Sequence, residues 1–290
     1  MSSIVKNITE NLQKLTPAQR RLADFLLKHL EEVVFMSAST LAREAKVSES
    51  TVIRFSQVLG YRGFPDLKEA LRNVLMEKLD TRKRLSSYIE KKEKEHILHA
   101  CIKKDKRTLD LLIDTVSISD FEAIVSTIEM ANNIFIISHR SAYAVGYYLN
   151  FYLNLLGYRA FLIKGKELSY EILSSSKEGD VVIAISFPRY SIETKDLVSF
   201  AKQRNLTVVS ITDDYLSPIA SEASYVLTIP TDFISFIDSL TPSISVVNAI
   251  VVALSLKKAN ETENRLEELE KIWKRERIYW QDETRKGEEL

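Results

Sequence analysis

Three polar stretches in the second half of the chain carry the residue types that could do chemistry. Ser138, His139, Arg140 and Ser141 follow one apolar run. Ser186, Phe187, Pro188, Arg189, Tyr190, Ser191, Ile192, Glu193 and Thr194 follow another, and Thr212, Asp213 and Asp214, with Ser217 and Pro218, follow a third. Hydroxyls and free backbone N–H groups at helix starts favour anions, and two arginines in the same loops add planar donors for a phosphate or carboxylate. Serines and threonines also cap helices with no ligand present; what favours a site is that Ser141, Ser191 and Thr194 would converge on one rim. Proton abstraction from a carbon acid would need a base, and His139, Glu167, Glu171 and Glu193 fall near that rim. None belongs to a recognisable catalytic constellation, so no catalytic residue is assigned.

The elements that would position these loops alternate. Apolar runs at 134–137, 161–163, 181–185, 208–211 and 225–229 are spaced by helical segments at 141–156, 167–175, 191–203, a short one around 217–221, and 242–256. Strands spaced by helices mean βαβ units and a five-stranded parallel sheet covered on both faces, a three-layer α/β domain. In such a sheet a ligand sits beyond the carboxyl ends of the strands, where all three polar stretches lie.

The first half reads as all-α. Helices are expected over 4–15 and from Thr16, where Thr-Pro-Ala-Gln supplies a capping threonine and a proline at the first helical position, with Leu22, Phe25, Leu26 and Leu30 as a buried stripe. From 39 to 59 come two short amphipathic helices hinged at Lys46, Val47 and Ser48. Leu41 and Ala45 mark the apolar side of the first, and Val52, Phe55 and Leu59 that of the second. Ser48 stands at the N-cap of the second helix. This is a helix-turn-helix. Arg43, Lys46, Ser48, Ser50, Thr51 and Arg54 are the residues expected to meet a major groove and its phosphates, and the expected partner is double-stranded DNA. Glycines at 60 and 63 then break the chain, and Phe64 anchors the next helix.

Charge is segregated to match. The formal net charge is 0, yet residues 1–84 hold fifteen Lys and Arg against ten Asp and Glu, a net +5, which leaves the rest acidic. A basic module joined to an acidic one is the footprint of a chain that meets phosphates with one end. A hydrophobic fraction of 45% with 28% charged residues fits a globular protein, and no apolar run is long enough for a membrane span. The N-terminal segment does not read as a signal peptide, and the single Cys101 suits a reducing cytoplasm. His96 and His99 lie one helical turn apart without a carboxylate or thiol in a ligand pattern, so neither a metal nor another cofactor is expected. The expected domains are a DNA-binding domain at 1–79, a helical linker with a solvated face at 80–119, a ligand-binding domain at 120–258 and a charged C-terminal helix at 259–290. Leu266, Leu269, Trp273 and Trp280 give that last helix an apolar seam, for its own domain or for a second subunit.

From Thr40 to Lys68 the pattern Thr-Leu-Ala, Ala, Val-Ser, Ser-Thr-Val, Arg-Phe, Leu-Gly, aromatic, Gly-Phe, Leu-Lys closely resembles the DNA-binding domain of the RpiR family of bacterial transcription regulators. Residues 120–258 resemble the SIS domain, a sugar isomerase fold that forms the second half of those regulators. The resemblance implies a Ser-x-Ser-x-x-Thr phosphate loop after the third strand, matched by Ser186, Ser191 and Thr194, with Ser141 matched after the first. Here Phe-Pro-Arg-Tyr separates Ser186 from Ser191, and Ser-His-Arg-Ser replaces the usual glycine-rich start. Ser138, Arg140, Ser141, Ser186, Arg189, Tyr190, Ser191 and Thr194 are therefore the expected ligand residues, for a phosphosugar, a sugar acid or another small anionic carbohydrate-type effector. The function implied is a regulator that binds a palindromic operator as a dimer or tetramer. The alternatives are a sugar-phosphate isomerase, and a DNA-binding protein whose sheet domain only oligomerises.

Overall fold

The computed structural model describes residues 7–8, 11, 15–29, 33, 36–78, 81–90, 95–165, 168–215 and 217–280, the side chains of 72–78, 83, 87, 90 and 233 apart. The chain divides into two compact units. One comprises Met1–Thr108 with Pro230–Ser239, the other Leu109–Ile229 with Leu240–Leu290. The helix expected over 4–15 lies mostly outside the described residues, as do Leu30 and Glu167.

The first unit is helical. Helix α1 (Pro17–Lys28) opens as its sequence predicts: the Thr16 hydroxyl accepts from the Gln19 N–H, while the Gln19 side chain accepts from the Thr16 N–H, a reciprocal capping box. Helices α2 (Ala38–Glu44), α3 (Glu49–Val58) and α4 (Phe64–Lys78) follow. Leu22 and Leu26 of α1, Leu41 of α2, Val52 and Phe55 of α3 and Leu67 of α4 have no exposed surface and form one core. The 3–4 residue spacing of these side chains fixes which face of each helix turns inward. The Lys68 ammonium closes the bundle by donating to the Met36 carbonyl at 2.7 Å.

Two more helices, α5 (Thr81–Glu90) and α6 (Ile97–Thr115), cover the stretch read as a linker. Its face is not simply solvated. Arg84 is fully buried and its Nη1 lies 2.9 Å from Asp238 Oδ1. Asp238 belongs to a short antiparallel pair that the sequence reading missed. The chain leaves the second unit after Ile229, and residues Pro230–Ser239 join the first. Two-residue strands, Phe233–Ile234 and Ile237–Asp238, pair across a tight turn. Lys104 Nζ sits 3.0 Å from Asp232 Oδ1, and the Ser239 hydroxyl donates to Asp105 at 2.6 Å. Strands this short carry no period-2 signal, which is why only their long-range partners reveal them.

The second unit is the three-layer domain. After α7 (Ile118–Glu129), strands β1 (Ile134–Ser138), β2 (Ala160–Ile163), β3 (Val181–Ile185), β4 (Thr207–Thr212) and β5 (Tyr225–Thr228) form one all-parallel sheet in the order β2-β1-β3-β4-β5. Residues 230–239 are a strap, and its two strands are β6 (Phe233–Ile234) and β7 (Ile237–Asp238). Alternate side chains feed two cores. Ile134 and Ile136, Ile183 and Ile185, and Val209 and Ile211 face α7, α8 (Tyr143–Leu155) and α11 (Thr241–Lys257). Phe135 and Ile137, Val182 and Ala184, and Val208 face α9 (Ser169–Ser174) and α10 (Ile192–Gln203). Residues 217–221 form turns, where a short helix is expected from sequence; Ser217, buried, accepts from the Ala220 N–H instead of opening a helix. Helix α12 covers Ala259–Arg275 and gives way to a turn at 276–277; of the helix expected over 259–290, residues 281–290 lie outside the described residues.

Candidate functional site

In the first unit the exposed surface of α2 and α3 is the feature that can meet a ligand. The turn between them is a helix C-cap in which Lys46 takes the left-handed conformation (φ 53°) and the Val47 N–H reaches back to the Ala42 carbonyl at 2.9 Å. A residue there usually lacks a side chain; a lysine accepts strain at a turn that also projects its charge outward. Ser48 caps α3, accepting from the Thr51 N–H, and its hydroxyl lies 2.8 Å from both the Ser50 and Thr51 hydroxyls. Three hydroxyls thus cluster at a helix N-terminus whose free N–H groups attract phosphate. Arg43, Lys46, Ser48, Ser50 and Arg54 are exposed, and Thr51 is half-buried. Gln57, one turn on from Arg54, and Ile53, next to it in the chain, are exposed too. Their spacing could have placed them in the expected surface, which stopped at Arg54. Phe55 and Ser56 face inward; the buried Ser56 hydroxyl donates to the Val52 carbonyl.

In the second unit the order β2-β1-β3-β4-β5 reverses direction between β1 and β3, and a parallel sheet leaves a crevice at such a point. Ser138 at the end of β1 pairs in register with Ile185 at the end of β3, so loops 139–142 and 186–191 leave the sheet side by side. His139 joins them. Its Nδ1 lies 2.8 Å from the Thr194 hydroxyl and its Nε2 3.3 Å from Glu193 Oε1. Loop 186–191 is tied on its other side to β4, because the Tyr190 hydroxyl donates to Asp213 at 2.7 Å. Burial pushes the Asp213 carboxyl above its ordinary pKa, while the hydrogen bonds from Tyr190 and Thr212 pull it down. The three strand ends therefore carry one bonded rim.

Two residues of this rim are backbone outliers. Arg140 (φ 58°) and Arg189 (φ 64°) both occupy the left-handed region, one in each loop flanking the switch point. Non-glycine residues are held there only where the surroundings demand it, a pattern associated with binding sites. Both guanidinium-bearing side chains are exposed. Between them lies the N-terminus of α10, capped by the Ser191 hydroxyl, which accepts from the Thr194 N–H. This cradle has the donors for an anion.

The sequence was compared with known families. The helix-turn-helix domain of the rpiR family matches residues 2–78, and the SIS domain matches residues 127–253. The chain is an rpiR-family helix-turn-helix domain joined to a SIS domain. An uncharacterized HTH-type transcriptional regulator of Haemophilus influenzae is 25% identical over 78% of this chain and 79% of its own length. Among solved structures, the sugar isomerase domain of the RpiR transcription factor from Sphaerobacter thermophilus is similar with a TM-score of 0.57 and 24% identity, over 59% of this chain and 96% of that one. The Vibrio vulnificus NanR protein complexed with ManNAc-6P is similar along both parts, with a TM-score of 0.59 and 22% identity over 93% of this chain and 98% of that one.

Within this RpiR-type chain the expected ligand residues fall into two groups. Arg140, Ser141 and Arg189 are exposed at the rim, with Tyr190 and Ser191 partly so. Ser138, Ser186 and Thr194 are buried. The Thr194 hydroxyl is engaged by His139, and Ser138 Oγ lies beneath α8, against Gly146, with no hydrogen-bond partner among the described residues. Sequence reasoning weighed His139 only as a base; its place between Thr194 and Glu193 makes it the tie between two loops. Asp213 is likewise a partner of Tyr190, a pairing over 23 residues that no local spacing announces. Glu171 is exposed on α9.

Proposed function

We propose that this protein is a transcription regulator whose helix-turn-helix unit binds a DNA operator and whose SIS unit senses a small anionic carbohydrate, a phosphosugar or a close relative. The observation that carries this reading is the pairing, in one chain, of an exposed helix-turn-helix surface bearing Arg43, Lys46 and Arg54 with a two-arginine crevice at the switch point of a parallel sheet. Residues Arg43, Lys46, Ser48, Ser50, Thr51 and Arg54 would contact the operator. Arg140, Arg189, Tyr190 and the N-terminus of α10 would hold the anion, with Ser138, Ser186, Ser191 and Thr194 shaping the loops. The ManNAc-6P bound by the similar NanR protein supports the choice of phosphosugars. The relatives named as transcriptional regulators support a sensor over an isomerase, and so does His139, whose Nδ1 is engaged by the Thr194 hydroxyl. The protein would act in the cytoplasm, as a dimer or tetramer on a palindromic site, because one recognition helix covers only half of such a site.

A thermal-shift screen against sugar phosphates, sugar acids and inorganic phosphate tests the sensor. A ligand at a hundred times its dissociation constant adds about 2.7 kcal/mol of stability. The control is the Arg140→Ala, Arg189→Ala pair, since both side chains are exposed and the buried His139–Thr194 tie is left intact. A compound that stabilises the wild type and not this variant locates the site. Equal stabilisation of both removes the arginines from it, and turnover of any sugar phosphate would return the isomerase reading.

A further inference from the structure

Helix α12 has an amphipathic pattern with no described partner that buries it. Thr262, Leu266, Leu269 and Trp273 recur at four, three and four, the spacing of a two-helix seam, yet all four are only half-buried and no residue of the helix is fully buried. Its start is tied to the preceding helix by the Thr262 hydroxyl, which donates to the Ser255 carbonyl. Its end is an exposed aromatic cluster. Tyr279 meets Trp273 edge to face at 5.3 Å, and Trp280 is 86% exposed.

The charges along this helix identify what would cover it. Residues 261–270 hold five glutamates and one arginine, whereas residues 271–277 hold four cations and one glutamate. A lone helix also favours acid at its start and base at its end, but that effect fades within the terminal turns, and Glu267, Glu268 and Glu270 lie beyond the first. We infer that α12 pairs antiparallel with α12 of a second copy of this chain. Pairing centred on Glu268 sets Lys274 and Arg275 of one copy against Thr262 and Glu261 of the other, so each acidic half meets a basic half. The two-fold axis repeats this contact at the other end of the pair, as an isologous dimer requires.

Sedimentation equilibrium of the full chain tests this, with Glu261→Lys, Glu263→Lys as one variant and Lys274→Glu, Arg275→Glu as a second. Each alone should weaken self-association at least tenfold, because like charges would then face each other. An equimolar mixture of the two should recover it, since the mixed pair restores opposite charges at both ends. Leu269→Ala, on the seam and with a good helix former in its place, should weaken association without altering helix content by circular dichroism, and it decides the matter if a charge variant unfolds. A monomeric wild type, unchanged association in the variants, or no recovery in the mixture with helix content preserved would each overturn the pairing. None of these outcomes depends on which effector the crevice takes.

Discussion

At the scale of single residues, Gly146 is fixed by Ser138. An alanine in a helix interior ordinarily gains about 1 kcal/mol over glycine, but a Cβ at 146 would lie 2.0 Å from Ser138 Oγ and 3.2 Å from Ile136 Cγ2. The overlap decides the sign: Gly146→Ala should lose about 1–3 kcal/mol in urea unfolding, and adding Ser138→Gly should recover part of it. A neutral Gly146→Ala would show that the strand and helix can separate freely. Asp213 makes a pH prediction. Folding raises its affinity for a proton, chiefly by burial. Its contribution to stability is therefore fully present below its ordinary pKa, 3.8, and is lost as pH rises through the elevated folded value. Wild-type stability measured against Asp213→Asn should fall over that window, and Tyr190→Phe, which deletes the strongest opposing hydrogen bond, should move the window upward. A difference that stays flat with pH would place Asp213 in water.

At the scale of elements, α3 combines two separable roles. Ser48 holds the helix start, so Ser48→Ala should cost about 1 kcal/mol of folding stability and some DNA affinity with it. Arg54 is exposed on the same helix and touches nothing in the core, so Arg54→Ala should leave the melting temperature unchanged while weakening operator binding by about 1–3 kcal/mol. Fluorescence anisotropy on a selected operator beside a melting curve separates the two; a stability loss in Arg54→Ala, or full affinity, would contradict the assignment. These elements were readable because their signals are local. The Thr16 and Ser48 caps, the Val52 and Phe55 spacing, and the run 181–185 that coincides with β3 all depend on neighbours within a few positions. The strap failed the same reading because each of its strands is two residues long, and the turns at 217–221 failed it because Ser217 caps a turn with the same hydroxyl that would start a helix.

At the scale of the molecule, the strap is a segment at which the chain passes from the sheet into the helical unit and back. Residues 230–239 follow directly on β5 of the sheet and return at α11, yet they are held by Arg84, Lys104 and Asp105 of the other unit. An effector that shifts the loops of the sheet can bias operator binding only through such shared segments, and only by its differential affinity for two arrangements. Asp238→Asn removes the carboxylate from the buried Arg84 and should lower stability by about 1.5–3 kcal/mol. Its diagnostic effect is on coupling: the effector should still raise the melting temperature, while operator affinity measured with and without it should converge. Undiminished coupling in that variant would exclude the strap as the route.

The sequence by itself determined the two-part architecture, the helix-turn-helix, the strands and the polar loops, because periodicity, capping and turn chemistry act over a few residues. Tertiary structure decided what those residues touch. Only the strand order placed the loops after β1 and β3 at a switch point, only the fold set His139 on Thr194 and Tyr190 on Asp213, and only it buried Arg84 against a strap 154 residues away. Such contacts join positions distant in the chain, and their energy comes from burial and geometry that no local window contains.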